Sequence, residues 1–596
     1  MTKAKKSTRI TAQGRTPQIR AGAKSMALLA VATLGAACTT IPSDTTPQAL
    51  RSVSAPTSAN DNLAPKPGED PDLLLRDFFA ASAHPTQQHQ AARAYLTEEA
   101  SNRWNDGAST TIVDRIDVNA TINATPNQND ANTVTYVVRG GVVGNLGNGG
   151  VYTPTSGNLE ATFVLKKTNG EWRIDQVPSG VIIERTELRS NYTPRELFFL
   201  DPTERILVRD RRWVFNQQSN LDSALLSLLV EGPKARMRAG LLTEVPENAT
   251  FAGSHDGVYY FTGFASLNAD ARHKFAAQVI WTLARAGITG PYRIDLDGAP
   301  LDSENPDMNV EDVAELNPNA LTSGTTTLYA VRSGQLFDVQ GSSADTLVPA
   351  NGTLGSSRSI QSVAISGDAA AAVIGNASQG DQTMVMGPIN GAVTNVMQAR
   401  NIGRPTFEPS GNTAWVVVDN HTVVAVSRNN ATADFAQVNV DTSSLESITN
   451  SEITAVRLSP SGTQVAFIIG GHVYIATVSR PDAGERSVTD ILDVAPDIGD
   501  TALDVDWLPD GGIVVGTSNQ ETPLWKVEID GSEVTRMATG NLTAPITSVS
   551  ISPSTIYVTD ARAALRMAIN ANAENSLFWR EVPALAGRSG NIVASK

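Results

Sequence analysis

Cysteine is almost absent from this sequence: Cys38 is the single copy among 596 residues. One thiol cannot form an intramolecular disulfide, and a lone thiol in an exported protein calls for an explanation. Histidine is scarce as well, and no two of the six histidines have the spacing of metal ligands on a helix. These are His84, His89, His255, His273, His421 and His472. Composition therefore argues against both a disulfide framework and a histidine-based metal centre.

Long apolar runs and basic charge are also in short supply. No stretch beyond the leader is long and apolar enough to span a ~30 Å hydrocarbon core as a helix. The chain has 46 Lys+Arg against 61 Asp+Glu, and loss of residues 1–37 would leave a formal charge of −22. So acidic a chain repels phosphate backbones, which argues against nucleic acid as a partner. Aromatic residues make up only 6% and glycine is common, a composition that suits many short strands and turns.

The leader determines which side of a membrane the rest of the chain occupies. Residues 26–38 are apolar or small and too few to span a bilayer; seven cations precede them, and Gly35, Ala36 and Ala37 lead into Cys38 at their end. This order is typical of a secretory signal. The segment resembles the lipobox of bacterial lipoproteins, in which the cysteine is lipidated and the signal is cut before it. It departs from that pattern at Gly35, where a large apolar residue is usual.

The resemblance implies that Cys38 carries the lipid anchor, with palmitate among its acyl chains, and that the mature protein is held on the extracytoplasmic face of the cell membrane. Two or three acyl chains anchor a folded domain without any membrane-spanning helix. A plain secretory signal with an incidental Cys38 is the alternative. The spacing thus predicts a lipoprotein signal peptide over residues 1–37. A disordered tether rich in proline, serine and threonine follows over residues 38–69.

Residues 70–200 predict an α+β domain. Asp70 and Pro71 mark a helix start, and a second helix is expected through Ala92, Tyr95 and Leu96 to Trp104. Alternating strands follow over residues 112–122, 133–143, 157–167 and 171–177, with a hairpin turn at residues 168–170. Two helices before an antiparallel sheet, together with the ending over residues 170–175, resemble an NTF2-like cone. The glycine-rich run over residues 140–150 is interpreted as a long hairpin loop and not as a phosphate-binding loop.

Residues 201–310 predict a second, α/β domain. A leucine-rich helix ends at Gly232-Pro233, and the segments over residues 240–246 and 277–283, with a final Asp297-Gly298 turn, follow in a characteristic order. This order resembles the GerMN domain, a small module of envelope and spore proteins with no established catalytic role.

Residues 321–596 predict a β-propeller. Turns of the type Pro-Ser-Gly or Pro-Asp-Gly recur between apolar strands at residues 409–411, 460–462 and 509–511, with weaker copies at residues 366–368 and 552–554. A repeat of roughly 50 residues matches four strands per blade and leaves room for about six blades. Strands near Leu328 and Leu336 are expected to share a blade with strands near Ile592, which would close the ring. A pair of β-sandwiches is the alternative.

No segment predicts catalytic chemistry. The Ser-His-Asp sequence within residues 253–257 is too short for its side chains to form a triad and is interpreted as a hairpin turn. Asp295 and Asp297 lack the third ligand and the glutamate of a calcium loop. A cluster of three aspartates could line a propeller face and bind a cation, although a solvated loop is the preferred interpretation. These aspartates are Asp500, Asp504 and Asp506.

The segment after Cys38 and the domain order together resemble the LpqB lipoproteins of high-GC Gram-positive bacteria. That resemblance implies a non-enzymatic accessory role, without a cofactor, at the extracytoplasmic part of the MtrB sensor histidine kinase in cell-envelope and division signalling. The residues alone indicate a membrane-anchored, multidomain binding protein. A binder of envelope glycan or peptide remains open, as does a propeller enzyme with an unrecognised carboxylate site.

Overall fold

The computed structural model describes residues 63–121, 132–217, 220–320, 326–341, 344–375, 380–446, 448, 450–482, 484–569 and 578–596. Cys38, the leader and most of the predicted tether lie outside these residues. The described residues belong to a single compact unit. Among the described residues no helix is long and apolar enough to cross a membrane.

The N-terminal part packs short helices on a mainly antiparallel sheet. Its helices are α1 (Pro71–Ser82), α2 (Thr86–Arg93), α3 (Glu98–Arg103) and α4 (Arg185–Asn191). Its strands are β1 (Thr110–Val113), β2 (Asp117–Ala120), β3 (Thr133–Gly147), β4 (Val151–Thr168), β5 (Glu171–Gln176) and β6 (Val181–Glu184). The strand order is β5-β4-β3-β1-β6, with β2 on β3 and with β6 parallel to β1. Phe78 and Phe79 of α1 pack edge-on against Phe163 of β4 and close the core.

Two sequence predictions in this part are confirmed. Helix α1 begins at Pro71 with Asp70 in the N-cap position, although the Asp70 side chain accepts no capping hydrogen bond. The turn between β4 and β5 has positive φ at Asn169 and Gly170, as a two-residue hairpin requires.

Two other predictions for this part are wrong. The second helix does not continue to Trp104, because the backbone of Tyr95 and Thr97 bonds Ile174 of β5 and interrupts the helix. The run over residues 140–150 is not a long loop. Strand β3 continues to Gly147, and only a 3-10 turn over Asn148–Gly150 separates it from β4. Glycine is needed here for close packing, since a Cβ on Gly140 would lie 2.7 Å from the Arg115 carbonyl oxygen.

The middle part is an α/β unit entered through a long hairpin. Its strands are β7 (Tyr192–Leu200), β8 (Leu207–Phe215), β9 (Thr250–His255), β10 (Val258–Thr262), β11 (Arg293–Leu296) and β12 (Ala299–Pro300). Its helices are α5 (Leu221–Glu231) and α6 (Ala269–Arg285), with 3-10 helices at Ala235–Gly240 and Val310–Leu316. The sheet order is β12-β11-β10-β9, and α6 buries Phe275, Val279 and Ile280 in the core.

The predicted limits of this unit cut across two of its features, because residue 201 lies in the turn between β7 and β8 and residue 310 is the first of the last 3-10 helix. β7 pairs with β8 along its whole length, from Tyr192 opposite Phe215 to Leu200 opposite Leu207. At the other end, Val313 and Leu316 of the last 3-10 helix belong to the same core. The hairpin also joins two cores, because Tyr192 and Phe215 pack with the N-terminal part whereas the other end of the hairpin packs with α5 and α6.

The C-terminal part consists of four-stranded antiparallel sheets. The first contains β13 (Leu328–Arg332), β14 (Gln335–Gln340), β15 (Thr346–Pro349) and the final strand β36 (Asn591–Ala594). The second contains β16 (Ile360–Ser366), β17 (Ala369–Gly375), β18 (Gln382–Pro388) and β19 (Thr394–Ala399). The third contains β20 (Thr406–Phe407), β21 (Thr413–Val418), β22 (Thr422–Arg428) and β23 (Phe435–Asn439).

Three further sheets follow the same pattern. The fourth contains β24 (Ile453–Leu458), β25 (Gln464–Ile469), β26 (His472–Ser479) and β27 (Ser487–Asp493). The fifth contains β28 (Ala502–Trp507), β29 (Ile513–Thr517), β30 (Leu524–Val527) and β31 (Val534–Arg536). The sixth contains β32 (Ser548–Ile551), β33 (Thr555–Thr559), β34 (Ala564–Ala568) and β35 (Arg580–Glu581). Short helices α7 (Thr353–Ser356) and α8 (Ser443–Glu446) and 3-10 turns at Pro496–Ile498 and Pro583–Leu585 lie between strands.

The strands at the two ends of this part pair as predicted. β36 is antiparallel to β13, with Ile592 opposite Ala330. Strands β16, β20, β24, β28, β32 and β36 each contact the next in this order, and β36 contacts β16. These inner strands therefore surround a common axis, and the architecture is a β-propeller and not a pair of sandwiches.

Candidate functional site

The inner strands enclose a cavity of about 490 Å³, called here the axial cavity. Its rim is built from the repeated turns that the sequence revealed, including Gly367, Pro409, Pro460, Pro509 and Pro553. Each turn connects the first and second strands of one sheet, so the repeats meet at one end of the axis. In four of them the glycine has positive φ, at Gly367, Gly411, Gly462 and Gly511, which explains why the repeat keeps this residue type.

Two buried aspartates of β28 organise the charges around the axis. Asp504 accepts hydrogen bonds from Arg404 Nη1 at 3.1 Å and Arg457 Nη2 at 2.7 Å. Asp506 accepts one from Lys596 Nζ at 2.9 Å. Because side chains two residues apart share a face of a strand, both carboxylates face the same neighbours. They also accept the backbone N–H groups of β32, at Val549 and Ile551, and so join the fifth and sixth sheets.

Arg457 is the most enclosed cation of this group. Its guanidinium donates to Asp504 and to the carbonyl oxygens of Arg404 and Val456. Burial lowers the pKa of Arg457, while Asp504 opposes that shift. The Nε atom is buried without a hydrogen-bond partner in the described part of the chain. Removal of Asp504 would therefore leave a buried positive charge with little compensation.

Alternate residues of β8 bind the propeller beside the axial cavity. Arg209 Nη1 donates to the Pro509 carbonyl at 2.7 Å, Arg211 Nη1 to Glu528 at 2.8 Å, and Trp213 Nε1 to Asp530 at 3.2 Å. A second contact lies at Ala235–Gly240, where the Arg236 carbonyl accepts from Thr477 Oγ1 at 2.6 Å. The period of two along β8 thus directs one row of side chains into an interdomain interface.

The other row of β8 side chains forms a buried ion cluster. Asp210 accepts from Arg212 Nη2 at 2.7 Å and lies 3.4 Å from Lys234 Nζ. Although burial alone would raise the pKa of Asp210, Lys234 and Arg212 hold it below its usual value. Arg212 also donates to the carbonyl oxygens of Gly149 and Gly232. This cluster fixes the N-terminal part against α5.

Two further spaces share lining residues with the axial cavity. A crevice of about 80 Å³ between β8 and the 509–511 turn shares Ser459, Pro460, Trp507 and Pro509 with it. A groove of about 510 Å³ between the second and third sheets shares residues 366–368, Pro409 and Lys596. The axial cavity thus has one neighbouring space at the interdomain interface and another between the second and third sheets.

The structure places the sequence-predicted candidates in different environments. Asp504 and Asp506 are not in a solvated loop but are buried on β28, where they accept hydrogen bonds from cations and from backbone N–H groups. Asp500 is exposed in the preceding loop. Asp297 accepts the N–H groups of Gly263 and Phe264, and Asp295 accepts that of Gly298. No group of three or more potential metal ligands occurs in the described residues.

The remaining candidate, residues 253–257, is a hairpin turn as predicted. Asp256 and Gly257 have positive φ between β9 and β10, and the side chains of His255 and Asp256 are exposed. Three cations of this site, Arg404, Arg457 and Lys596, were not predicted from the sequence. One signal was available for Arg457, which places a charge between the apolar residues Val456 and Leu458 of a strand.

The domains and their order match known families. Residues 64–189 match the N-terminal domain of lipoprotein LpqB, and residues 334–591 match the LpqB beta-propeller domain. Residues 196–302 match the family described as sporulation and spore germination. The latter two assignments agree with the predicted propeller and GerMN domain.

Relatives match over nearly the whole chain. Lipoprotein LpqB of Corynebacterium diphtheriae is 39% identical over 585 residues, covering 96% of this chain and 98% of its own. The protein of the same name from Rhodococcus jostii is 36% identical, over 94% of this chain and 96% of its own. That from Mycolicibacterium smegmatis is 33% identical, over 92% of this chain and 95% of its own. Their names indicate membrane-anchored envelope proteins and state no catalytic activity. With this identity and coverage, and with all three domains matched in order, the chain belongs to the LpqB lipoprotein family.

Proposed function

We propose that this lipoprotein acts by protein contacts and not by catalysis, as an accessory of a sensor histidine kinase in envelope and division signalling. Cys38 carries the acyl chains and holds the folded unit on the extracytoplasmic face of the membrane. The partner is the extracytoplasmic domain of an MtrB-like kinase, as the family resemblance implies. The six sheets are the blades of a six-bladed propeller, and the N-terminal part is an NTF2-like cone.

The interface made by β8 is the observation that carries this proposal. Arg209, Arg211 and Trp213 bind the propeller through partly or fully buried contacts, and the Asp210 cluster fixes the N-terminal part behind them. The described unit therefore presents surfaces from three domains in a fixed arrangement. A preorganised surface loses less conformational entropy on binding a partner than a flexible one.

The charges of the axial cavity also support a binding role. Asp504, Asp506 and Arg457 bond each other, neighbouring cations or the backbone. General acid–base catalysis needs a group that can exchange a proton with a substrate. Carboxylates already engaged by arginine, lysine and backbone N–H groups fit a structural or recognition role better.

Direct binding tests the proposal. The mature chain, purified without its lipid, is titrated with the purified extracytoplasmic domain of the kinase, and a deletion strain is assayed for phosphorylation of the response regulator. We expect saturable binding and altered phosphorylation. Anchoring raises the local concentration near the kinase, so a Cys38→Ser strain should resemble the deletion at equal protein levels. No binding together with unchanged phosphorylation would overturn the proposal and favour the glycan-binding, peptide-binding or enzymatic alternatives.

A further inference from the structure

Among the described residues, Arg404 is held in the axial cavity through one of its two terminal nitrogens. Its Nη1 donates to Asp504 Oδ2 at 3.1 Å and to the Val549 carbonyl oxygen at 3.0 Å. Two acceptors on one nitrogen fix the orientation of the planar guanidinium. The group is therefore oriented by the protein before any ligand arrives.

The opposite edge of the same guanidinium is available. In the described part of the chain, Nε and Nη2 of Arg404 donate no hydrogen bond, and neither is among the enclosed nitrogens, although the side chain is only 20% exposed. The N–H groups of Nε and Nη2 are parallel. Such a pair matches the two oxygens of a carboxylate, which makes it a bidentate donor.

The two carboxylates of β28 beside Arg404 accept hydrogen bonds from other donors and, among the described residues, none from this pair. Both oxygens of Asp504 are occupied by Arg404 Nη1, Arg457 and the backbone of Val549. Asp506 accepts from Lys596 and from two backbone N–H groups.

Two further carboxylates line the cavity. Glu408 accepts from Arg486 and Trp415, and Asp368 lies on the exposed rim. On the cationic side, Lys596 is 43% exposed at the mouth, where its Nζ is paired with Asp506.

We propose that the axial cavity binds the carboxylate of a small organic acid or of the C-terminal end of a peptide, with Nε and Nη2 of Arg404 as the bidentate donors. A volume of about 490 Å³ lies within the usual size of a small-ligand site. This inference goes beyond the accessory role, because it requires neither the kinase nor the lipid anchor.

Calorimetric titration of the mature chain at constant ionic strength tests the inference. The probes are succinate, trialanine, trialanine amide and inorganic phosphate. We expect saturable binding of succinate or trialanine, and which of the two binds distinguishes a free acid from a peptide end. Trialanine amide lacks the carboxylate and should not bind.

Variants link any binding to Arg404. Arg404→Lys keeps a positive charge near Asp504 but lacks the parallel donors, and Arg404→Gln removes the charge as well. Because charge-assisted bidentate hydrogen bonds are strong, we expect each variant to weaken binding about tenfold or more. Arg400→Gln, four residues earlier and exposed, is the matched control and should bind as the parent does. Melting followed by circular dichroism verifies that each variant folds.

Several results would overturn the inference. One is that neither succinate nor trialanine binds, and another is that a folded Arg404 variant keeps the parent's affinity. The others are that trialanine and its amide bind equally while succinate does not bind, and that phosphate binds more tightly than both succinate and trialanine.

Discussion

The indole Nε1 of Trp213 donates a hydrogen bond to Oδ2 of Asp530 over 3.2 Å, although the two residues are 317 positions apart. Asp530 is also 3.4 Å from Arg211 Nε, and its other oxygen accepts from the Ser532 backbone and hydroxyl. One buried carboxylate thus holds the β8 hairpin, a propeller loop and a cation together.

Asp530→Asn should therefore loosen the interface. The substitution removes the charge beside Arg211 and one of the acceptor groups, which costs roughly 1–3 kcal/mol of unfolding free energy when the partners stay buried. Urea unfolding followed by tryptophan fluorescence measures the change. Asp510→Asn, whose carboxylate is half exposed, is the control and should change little. Equal stability of Asp530→Asn and the parent would show that the contact does not join the domains.

Asp504→Ala should lower the unfolding free energy further than Asp530→Asn does, because it leaves Arg457 buried without its counter-charge. Breaking one side of a buried ion pair typically costs ~3–5 kcal/mol. The midpoint of urea unfolding should decrease accordingly. Asp500→Ala, in an exposed position of the same segment, serves as control. A midpoint unchanged in Asp504→Ala would contradict the structural role given to this carboxylate.

Truncation after Gly590 should open the propeller. It removes β36, whose Ile592, Val593 and Ala594 are buried, and leaves the inner edge of β13 unpaired. Burial of each large apolar side chain is worth about 1.5–3 kcal/mol, a large share of the ~5–15 kcal/mol that a native fold has in total. We expect loss of the cooperative melt in circular dichroism. Lys596→Gln keeps the strand and should keep the melt, whereas a truncated chain that melts like the parent would exclude closure by β36.

Stability should decrease as the pH falls, in part because of His84. Its ring packs edge-on against Phe215, its Nδ1 is buried without a partner in the described residues, and burial lowers the pKa of His84. The unfolded chain therefore takes up this proton at a higher pH than the folded one. The contribution of His84 to stability is complete at pH values above its ordinary pKa near 6.5. It is lost as the pH falls through the pKa of His84 in the folded state, with a slope of at most ~1.4 kcal/mol per pH unit.

His84→Leu should flatten this part of the stability profile. Chemical unfolding of parent and variant at several pH values between 7 and 5 measures the difference. His255→Leu, at an exposed histidine, should retain the slope of the parent. If His84→Leu retains it too, another group is responsible for the acid sensitivity.

Cys38→Ser should leave the folded unit intact but release it from the membrane fraction, because the cysteine precedes every described core residue. Cell fractionation and immunoblotting of the mature domains measure the distribution. A single acyl chain gives only marginal binding, and two or three give a stable anchor. Retention of Cys38→Ser as firmly as the parent would show that lipidation is not what holds the protein.

Local patterns in the sequence predicted much of the fold. Turn residues such as Gly411 and Gly462 have a conformational reason to recur, and the alternation of apolar residues marks strands wherever one face is buried. The same reasoning failed at Tyr95–Thr97, where pairing with β5 replaced a helix, and over residues 140–147, where glycines allowed two strands to approach closely. In both cases a partner distant in the chain decided the local conformation.

By itself, the sequence determined the order of the domains, the repeat of the propeller and the closure of its ring by strands near Leu328 and Ile592, since these depend on periodicity and chain length. Only the tertiary structure decided that Asp504 and Asp506 are buried ion-pair partners and that the 209–213 segment joins the domains. The Nε and Nη2 donor pair of Arg404 could likewise be recognised only from the tertiary structure. Charge compensation depends on which side chains meet across sheets, and residues 100 positions apart, such as Arg404 and Asp504, have no local pattern that connects them.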